Sequence, residues 1–147
     1  MVENHLKKPI RVLFICTQNS CRSQMAEGFL KKFGQDRFKV YSAGLNPGKI
    51  NPQAIEVMKE KGIDISAHTS NDIMSYIGKV FFQYVIIVCG HSDKACPNAF
   101  PGVEKRMFWS FEDPAVFEGS EEEIKNKFCQ VRDLIEAKIN GWVKEIS

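Results

Sequence analysis

The residues with the clearest capacity for chemistry lie between Cys16 and Ser23, in the stretch Cys-Thr-Gln-Asn-Ser-Cys-Arg-Ser. Five residues separate Cys16 from Arg22. A loop of this length can curl so that successive backbone N–H groups point inward and bind an anion. Arg22 offers a planar fork that matches two oxygens of a tetrahedral oxyanion. The same positive field would stabilise the Cys16 thiolate and make it a nucleophile.

The remaining residues of the loop fit this interpretation. Ser23 can donate a hydrogen bond to the Cys16 sulfur, and the Asn19 side chain can brace the loop. The helix that follows would add its N-terminal dipole at the same point. The predicted oxyanion-binding residues are Thr17, Gln18, Asn19, Ser20, Cys21, Arg22 and Ser23. The alternative is that Cys16 is a buried cysteine at a strand end and Arg22 a surface helix residue.

The elements that must position these residues follow from the hydrophobic pattern. Short β-rich segments predict strands at 10–15, 38–42, 84–89 and 106–109. Apolar residues at helical spacing predict helices at 23–33, 51–61, 72–77 and 124–146. Strands that alternate with helices predict an α/β fold, with a central parallel sheet of about four strands flanked by helices. Sites in such sheets form beyond the carboxyl ends of the strands. Cys16 and Cys89 each end a predicted strand, so their sulfurs are candidates to meet if those two strands are neighbours in the sheet.

Length and composition limit the function classes. The 147 residues predict a loose leader over 1–9 and a single domain over 10–147. A net charge of +2 gives no reason to expect a nucleic-acid or membrane partner. No stretch approaches transmembrane length, which makes the cytoplasm the expected location. Five cysteines, an odd number, argue against a structural disulfide framework.

The segment 16–28 resembles the phosphate-binding loop of low-molecular-weight tyrosine phosphatases, and still more closely that of the related thioredoxin-coupled arsenate reductases. The resemblance continues through 41–44, 51–55, 63–66, 68–70, the two later cysteines Cys89 and Cys96, and Asp113-Pro114. It covers nearly the whole chain apart from the leader, and it implies a low-molecular-weight tyrosine phosphatase-like fold. One departure is Gln18, where the family commonly has glycine.

The resemblance implies that Asp113 is the general acid, which protonates the oxygen that leaves when sulfur attacks the tetrahedral centre. Pro114 restricts Asp113 to extended backbone geometry. An Asp-Pro pair also opens turns, so a purely structural role is the alternative. Glu112, the adjacent residue, is a weaker candidate for the acid.

Two features favour a reductase over a phosphatase. Phosphatases of this type usually carry aromatic residues after the Asp-Pro pair, whereas Ala115 and Val116 follow here. The second feature is the later cysteine pair, since a reductase needs thiols to carry away two electrons.

The resemblance then implies a relay from Cys16 to Cys89 to Cys96, with arsenate as substrate, phosphate or sulfate as its analogues, and thioredoxin as reductant. A phosphatase of small phosphoesters remains an alternative, as do a non-enzymatic oxyanion or metal binder and a zinc site at Cys89, His91 and Cys96.

The spacing of Cys89 and Cys96 makes a prediction of its own. Seven positions span roughly 10 Å in a helix and about 23 Å in a strand. A disulfide tolerates a Cα separation of at most about 7 Å. The residues between them must therefore fold back or unwind when the bond forms, and we expect this segment to rearrange on oxidation.

The resemblance also implies a potassium site near the anion loop, formed by Asn19, Glu27, Ser42 and Asn71. No tightly bound cofactor is otherwise expected. The family often has aspartate where this chain has Asn71, so we expect weak potassium dependence. Three further residues are expected to play no part in the chemistry: Cys21 packs the loop, Cys129 is incidental, and His68 shapes its own loop.

Overall fold

The protein, described here from a computed structural model, is defined over residues 8–76, 78–89 and 103–146. Its strands are β1 (Ile10–Cys16), β2 (Phe38–Gly44), β3 (Phe82–Ile87) and β4 (Val103–Phe108). They form one parallel sheet in the order β2-β1-β3-β4. The predicted four-stranded parallel α/β architecture is confirmed. Cys96 and His91 lie outside the described residues, as do residues 1–7 of the predicted leader.

Three helices flank the sheet: α1 (Arg22–Gly34), α2 (Pro52–Lys59) and α3 (Glu121–Glu145). The sequence determines where two of them begin. Asn51 caps α2 through its side chain, and Pro52 occupies the first helical position. Ser120 and Glu123 form a reciprocal capping box at the start of α3.

The predicted apolar face of α3 is confirmed, because its central members are buried and its two ends half-buried. The buried members are Phe128, Val131, Ile135, Ile139 and Trp142, and the half-buried ones are Ile124 and Ile146.

Several element boundaries differ from the prediction. The helix expected at 72–77 is a single 3-10 turn over Ile73–Ser75, with Asp72 capping it from its side chain. β3 lies two residues earlier than expected: Val88 and Cys89 are fully buried but follow the strand. An apolar run reports burial, and burial continues after the regular strand pairing has ended. β4 begins three residues earlier than expected, and as an edge strand with one neighbour it has a weak pattern.

The sheet brings the candidate residues to one edge. β1 is a central strand and is buried from Val12 to Cys16. Because all four strands are parallel, their carboxyl ends lie at the same edge, where the segments after β1, β3 and β4 leave the sheet. Within the described ranges, no helix is both long and apolar enough to cross a bilayer.

Candidate active site

The oxyanion loop, defined here as residues 16–22, leaves β1 and enters α1. Cys16 is the last residue of β1 and pairs in register with Gly44 of β2. A Cβ atom on Gly44 would lie 2.7 Å from the Thr17 carbonyl oxygen and 2.8 Å from the Asn19 nitrogen. Backbone atoms cannot move aside as a flexible side chain can. Glycine at position 44 therefore allows the loop to pack directly on the end of β2.

Four consecutive carbonyl groups of the oxyanion loop accept hydrogen bonds from residues around its outside. The backbone N–H groups of Asn46, Gly48 and Asn51 donate to the carbonyls of Thr17 (3.0 Å), Gln18 (3.0 Å) and Ser20 (2.8 Å), respectively. The Gln18 carbonyl also accepts from Ser70 Oγ (3.1 Å). The Asn19 carbonyl accepts from Gln24 Nε2 (3.0 Å). In a planar trans peptide the carbonyl and the N–H point in opposite directions. The four N–H groups that follow these carbonyls therefore point away from the donors, toward the concave side of the loop. This is the geometry of an anion nest.

Asn19 holds the loop in its curved shape. Its φ of 53° lies in the left-handed region, which asparagine tolerates better than most residues. Its buried side chain donates from Nδ2 to Ser23 Oγ (2.8 Å) and accepts at Oδ1 from the N–H of Asn71 (2.7 Å). Asn19 therefore braces the loop against two other segments of the chain, as the sequence predicted.

The Cys16 sulfur lies 3.0 Å from Ser23 Oγ, and both residues are buried. Ser23 Oγ accepts a hydrogen bond from Asn19 Nδ2, and its own hydroxyl can donate one to the sulfur. A hydrogen bond donated to a thiolate stabilises the charged form. The structure thus gives Cys16 the local partner that a nucleophilic thiolate needs.

Arg22 connects the oxyanion loop to the acid loop, defined here as residues 109–117. The buried guanidinium donates from Nη1 to the Phe111 carbonyl (3.0 Å). Its Nη2 lies 3.5 Å from Asp113 Oδ2. The interpretation of Arg22 as a surface helix residue is therefore wrong, and the structure brings Asp113 to the side chain that would hold the oxyanion.

Asp113 also accepts a hydrogen bond from the N–H of Ala115 (3.0 Å), so it caps the 3-10 turn Pro114–Val116. The turn-opening role and the position beside Arg22 thus coexist. Glu112 is directed elsewhere, because its carboxylate pairs with Lys127 at 3.1 Å. Of the two acidic candidates, Asp113 is the one next to the oxyanion loop.

Cys89 follows β3, the strand adjacent to β1. The register pairs Ile15 with Ile87, and the N–H of Val88 still donates to the Ile15 carbonyl (2.9 Å). The chain therefore runs beside the end of β1 as far as Val88, and Cys89 is the next residue and is fully buried. The two strands are therefore neighbours, which is the condition under which the Cys16 and Cys89 sulfurs are expected to meet.

The whole chain was then compared with known proteins. It matches the family described as low molecular weight phosphotyrosine protein phosphatase over residues 11–147. The chain belongs to this family. The resemblance seen in the sequence is thereby confirmed, and so is the predicted phosphatase-like fold.

Within the family, the chain is similar to proteins named arsenate reductase. One from Bacillus subtilis is 48% identical over 133 residues, which span 90% of this chain and 94% of the relative. A solved structure of an arsenate reductase in the phosphate-binding state is 36% identical, with a TM-score of 0.77 over 94% of this chain and 99% of that one. A thioredoxin-dependent arsenate reductase from Corynebacterium glutamicum is 25% identical, with a TM-score of 0.63 over 99% of this chain and 65% of that one.

Cys21 lies within the oxyanion loop. Its thiol is buried, and burial raises its pKa well above the ordinary value, with the negative charges of Cys16 and Asp113 adding to the rise. A thiol that stays protonated at neutral pH is a poor nucleophile. These observations agree with a packing role for Cys21. Cys129 on α3 is half-exposed and remote from the loop in sequence, and its Sγ lies 3.9 Å from a carboxylate oxygen of Glu60.

His68 supports the loop through Gln24, a buried residue that the sequence analysis missed. Gln24 Nε2 donates to the carbonyls of Asn19 and Thr69, each at 3.0 Å, so its Oε1 is left to accept from His68 Nδ1 (3.0 Å). Burial lowers the pKa of His68, and the nearby Glu27 carboxylate opposes that shift. A neutral His68 that donates from Nδ1 therefore shapes this part of the site.

The four residues implied for potassium lie close together but satisfy one another. Ser42 Oγ donates to Glu27 Oε1 (2.6 Å), and the Asn71 N–H donates to Asn19 Oδ1 (2.7 Å). Asn71 also turns its Nδ2 toward the Ser42 carbonyl (3.1 Å). The ammonium of Lys31 lies 2.6 Å from Glu27 Oε2 and compensates its charge. The hydrogen bonds and the Lys31 ion pair thus link these residues without an added cation.

The described residues contain no cluster that supports the zinc alternative. In the ranges that the structure describes, no three His, Cys, Asp or Glu side chains form a group that could hold a metal ion. Two of the three residues of the zinc alternative, His91 and Cys96, lie outside those ranges.

Two further supporting residues have only a partial signal in the sequence. Asn51 precedes Pro52 and has a side chain suited to capping a helix, but nothing local predicts its backbone contact to the oxyanion loop. Nothing local predicts that the backbone of Gly44 lies against this loop.

Proposed function

We propose that this chain is an arsenate reductase, which converts arsenate to arsenite through a thiol relay that begins at Cys16. The observation that carries the proposal is the placement of Cys16 and Cys89 at the ends of adjacent parallel strands, in a chain 48% identical to an arsenate reductase. A hydrolase of this fold needs one nucleophilic thiol. A second buried cysteine at the same sheet edge suits electron transfer.

In the first step, the inward N–H groups and Arg22 hold three oxygens of arsenate while the Cys16 thiolate attacks arsenic. A sulfur–arsenic bond forms, and one arsenic–oxygen bond breaks. Asp113 donates a proton to the departing oxygen, which leaves as water or hydroxide. The field of the loop stabilises the charge on the arsenate oxygens throughout this step.

In the second step, the Cys89 sulfur attacks the Cys16 sulfur. The sulfur–arsenic bond breaks and its electron pair stays on arsenic, which is reduced from As(V) to As(III) and departs as arsenite. The two sulfurs are oxidised to a Cys16–Cys89 disulfide. Attack along this line requires the two strand ends to be neighbours, as they are here.

In the third step, Cys96 attacks Cys89 and releases Cys16 as a thiol. Thioredoxin then reduces the Cys89–Cys96 disulfide, in keeping with the similar thioredoxin-dependent reductase. Because Cys89 and Cys96 are seven positions apart, the residues between them must fold back for this disulfide to form. A relay of free thiols works in a reducing compartment, which supports a cytoplasmic location.

The deciding experiment is a thioredoxin-coupled assay of NADPH oxidation with arsenate. Cys16→Ser, Cys89→Ser and Cys96→Ser should each abolish turnover, whereas Cys129→Ser serves as the matched control and should keep it. Full turnover in both Cys89→Ser and Cys96→Ser would rule out the relay.

A phosphatase activity on small phosphoesters is the second candidate, because the family is one of phosphatases and the first step is shared. It needs Cys16 and Asp113 but neither later cysteine. Hydrolysis of a generic ester should therefore survive Cys89→Ser and Cys96→Ser. Ala115 and Val116, which follow the Asp-Pro pair, provide no aromatic slot for a phenol ring, so aryl esters should be poor substrates.

We also propose that potassium has little effect on this enzyme. The Lys31 ammonium already compensates the Glu27 carboxylate, and Asn71 in place of aspartate removes a negative charge. Turnover should be the same in potassium and sodium at equal ionic strength. Lys31→Met removes the ammonium beside Glu27, so comparing its turnover in potassium and in sodium provides the sharper test. A strong potassium requirement in the unaltered protein would contradict the proposal.

A further inference from the structure

We propose that residues 45–51, called here the outer segment, determine the affinity of the oxyanion loop for tetrahedral anions. This inference rests on the proposed role of the loop as the oxyanion site. The outer segment contains none of the residues assigned to the chemistry, and most of it is exposed. Its contribution comes from its backbone.

Three N–H groups of the outer segment bind three loop carbonyls. The donors are Asn46, Gly48 and Asn51, at 3.0, 3.0 and 2.8 Å from their acceptor oxygens. Each bond fixes the direction of one peptide unit, because the N–H on the opposite side of that peptide must then point into the loop. The outer segment thus orients three of the N–H groups that would face an anion.

Both ends of the outer segment are anchored. It begins directly after Gly44, whose backbone lies against the oxyanion loop and whose N–H donates to the Asn71 carbonyl (2.9 Å). It ends at Asn51, whose side chain caps α2 by accepting from the N–H groups of Gln53 and Ala54. Pro47, between two of the donors, restricts the backbone further. The three N–H donors are therefore held in place, and they can orient the loop carbonyls that they bind.

Without these donors the loop carbonyls would bond to water, and water imposes no direction on the peptide. A peptide that turned its carbonyl inward would present a partial negative charge to the anion. Holding the carbonyls outward before the anion arrives removes that cost from binding. Losing one such bond should weaken anion affinity by about two- to tenfold, the range that corresponds to one ordinary hydrogen bond.

Gly48 offers the sharpest test. A Cβ atom there would meet nothing within 4 Å, so Gly48→Ala keeps both the donor and the space. Gly48→Pro removes the N–H. Ser70 Oγ also donates to the Gln18 carbonyl, at 3.1 Å, so adding Ser70→Ala removes both donors to this oxygen.

The experiment titrates inorganic phosphate into the reduced full-length variants by calorimetry. We expect Gly48→Ala to bind like the unaltered protein, Gly48→Pro to bind about two- to tenfold more weakly, and the double variant more weakly still. Thermal unfolding of each variant checks that the fold is retained. Equal phosphate affinity in all four proteins would overturn the inference.

A second measurement needs no variant. Hydrogen exchange of the unaltered protein should show protected amides at positions 46, 48 and 51 before phosphate is added, and free exchange at all three would also overturn the inference. Neither readout depends on arsenate turnover. A protein that binds phosphate as expected but does not reduce arsenate would contradict the proposed function alone.

Discussion

The oxyanion loop and the acid loop meet at Arg22 but are held in different ways. In the oxyanion loop, four consecutive carbonyls and the Asn19 side chain have hydrogen-bond partners drawn from several segments of the chain. In the acid loop, the Asp113 side chain is 24% exposed, Glu112 60% and Val116 71%. The first loop is constrained along its length through its backbone. The acid loop is anchored by the buried side chains of Trp109 and Phe111, and its acidic side chains lie near solvent.

This difference matches what each loop must do. Binding a tetrahedral anion requires several donors fixed at once, because each misdirected peptide adds repulsion. Donating one proton requires a single carboxyl group within reach, and some freedom allows it to follow the leaving oxygen. We therefore expect changes in the oxyanion loop to alter anion binding and stability, and changes in the acid loop to alter turnover.

The largest effect should come from Asp113→Asn. Because the general acid is lost, we expect single-turnover consumption of arsenate to slow by about 10²- to 10⁴-fold. Phosphate affinity should change little, since the donors of the oxyanion loop are untouched. Rapid-quench kinetics and phosphate titration measure the two quantities. A large loss of phosphate affinity instead would assign Asp113 to binding and remove the contrast between the loops.

Gly44→Ala should come next. The added Cβ would lie within 3 Å of three backbone atoms of the oxyanion loop, and overpacking of this kind costs about 1–3 kcal/mol of stability. Denaturant unfolding should show that loss together with weaker phosphate binding. Gly141→Ala is the matched control: its Cβ meets open space in the interior of α3, so it should be neutral or stabilising by up to about 1 kcal/mol.

Glu112→Gln should have a small effect. The Glu112–Lys127 ion pair is one of the contacts between the acid loop and α3, at 3.1 Å, but the carboxylate is largely exposed. Such pairs contribute about 0–1 kcal/mol, so arsenate turnover should stay within a few-fold of the original. A larger loss would mean that the acid loop is positioned as strictly as the oxyanion loop.

The smallest effect concerns acid stability. Burial holds the pKa of His68 below the ordinary value of 6.5. As the pH falls through 6.5, the unfolded chain takes up a proton at this residue before the folded protein does, so folded-state stability decreases. His68→Asn, which can still donate to Gln24, removes this titration. The melting temperature between pH 7 and 5.5 should fall less steeply in the variant, by roughly 1–2 °C. Parallel curves would show that His68 does not contribute.

Much of this arrangement was predictable from local patterns. The strand, loop and helix around Cys16 follow from short-range rules, and a parallel sheet follows from the alternation of strands and helices. The strand order, which makes β1 and β3 neighbours, comes from the structure alone. Asp113 beside Arg22 came from a resemblance, because nothing local to either residue predicts that the two meet across 91 positions.

The supporting contacts were not predictable in the same way. The carbonyls of the oxyanion loop are bound by backbone N–H groups at positions 46, 48 and 51, and every residue except proline has such a group. No side-chain pattern distinguishes a donor that reaches a loop from one that reaches water. The boundary error at β3 has a related cause, since an apolar run extends as far as burial does, and Val88 and Cys89 stay buried after the strand ends.

The aromatic packing at the end of β4 provides a spectroscopic signal. The chain has two tryptophans, and their rings lie edge to face with centroids 5.6 Å apart, one at the start of the acid loop and one on α3. Lys138 lies over the ring of Trp109. The intrinsic fluorescence of the protein therefore originates from one small region, and a shift in its emission reports how the acid loop is seated on the last helix.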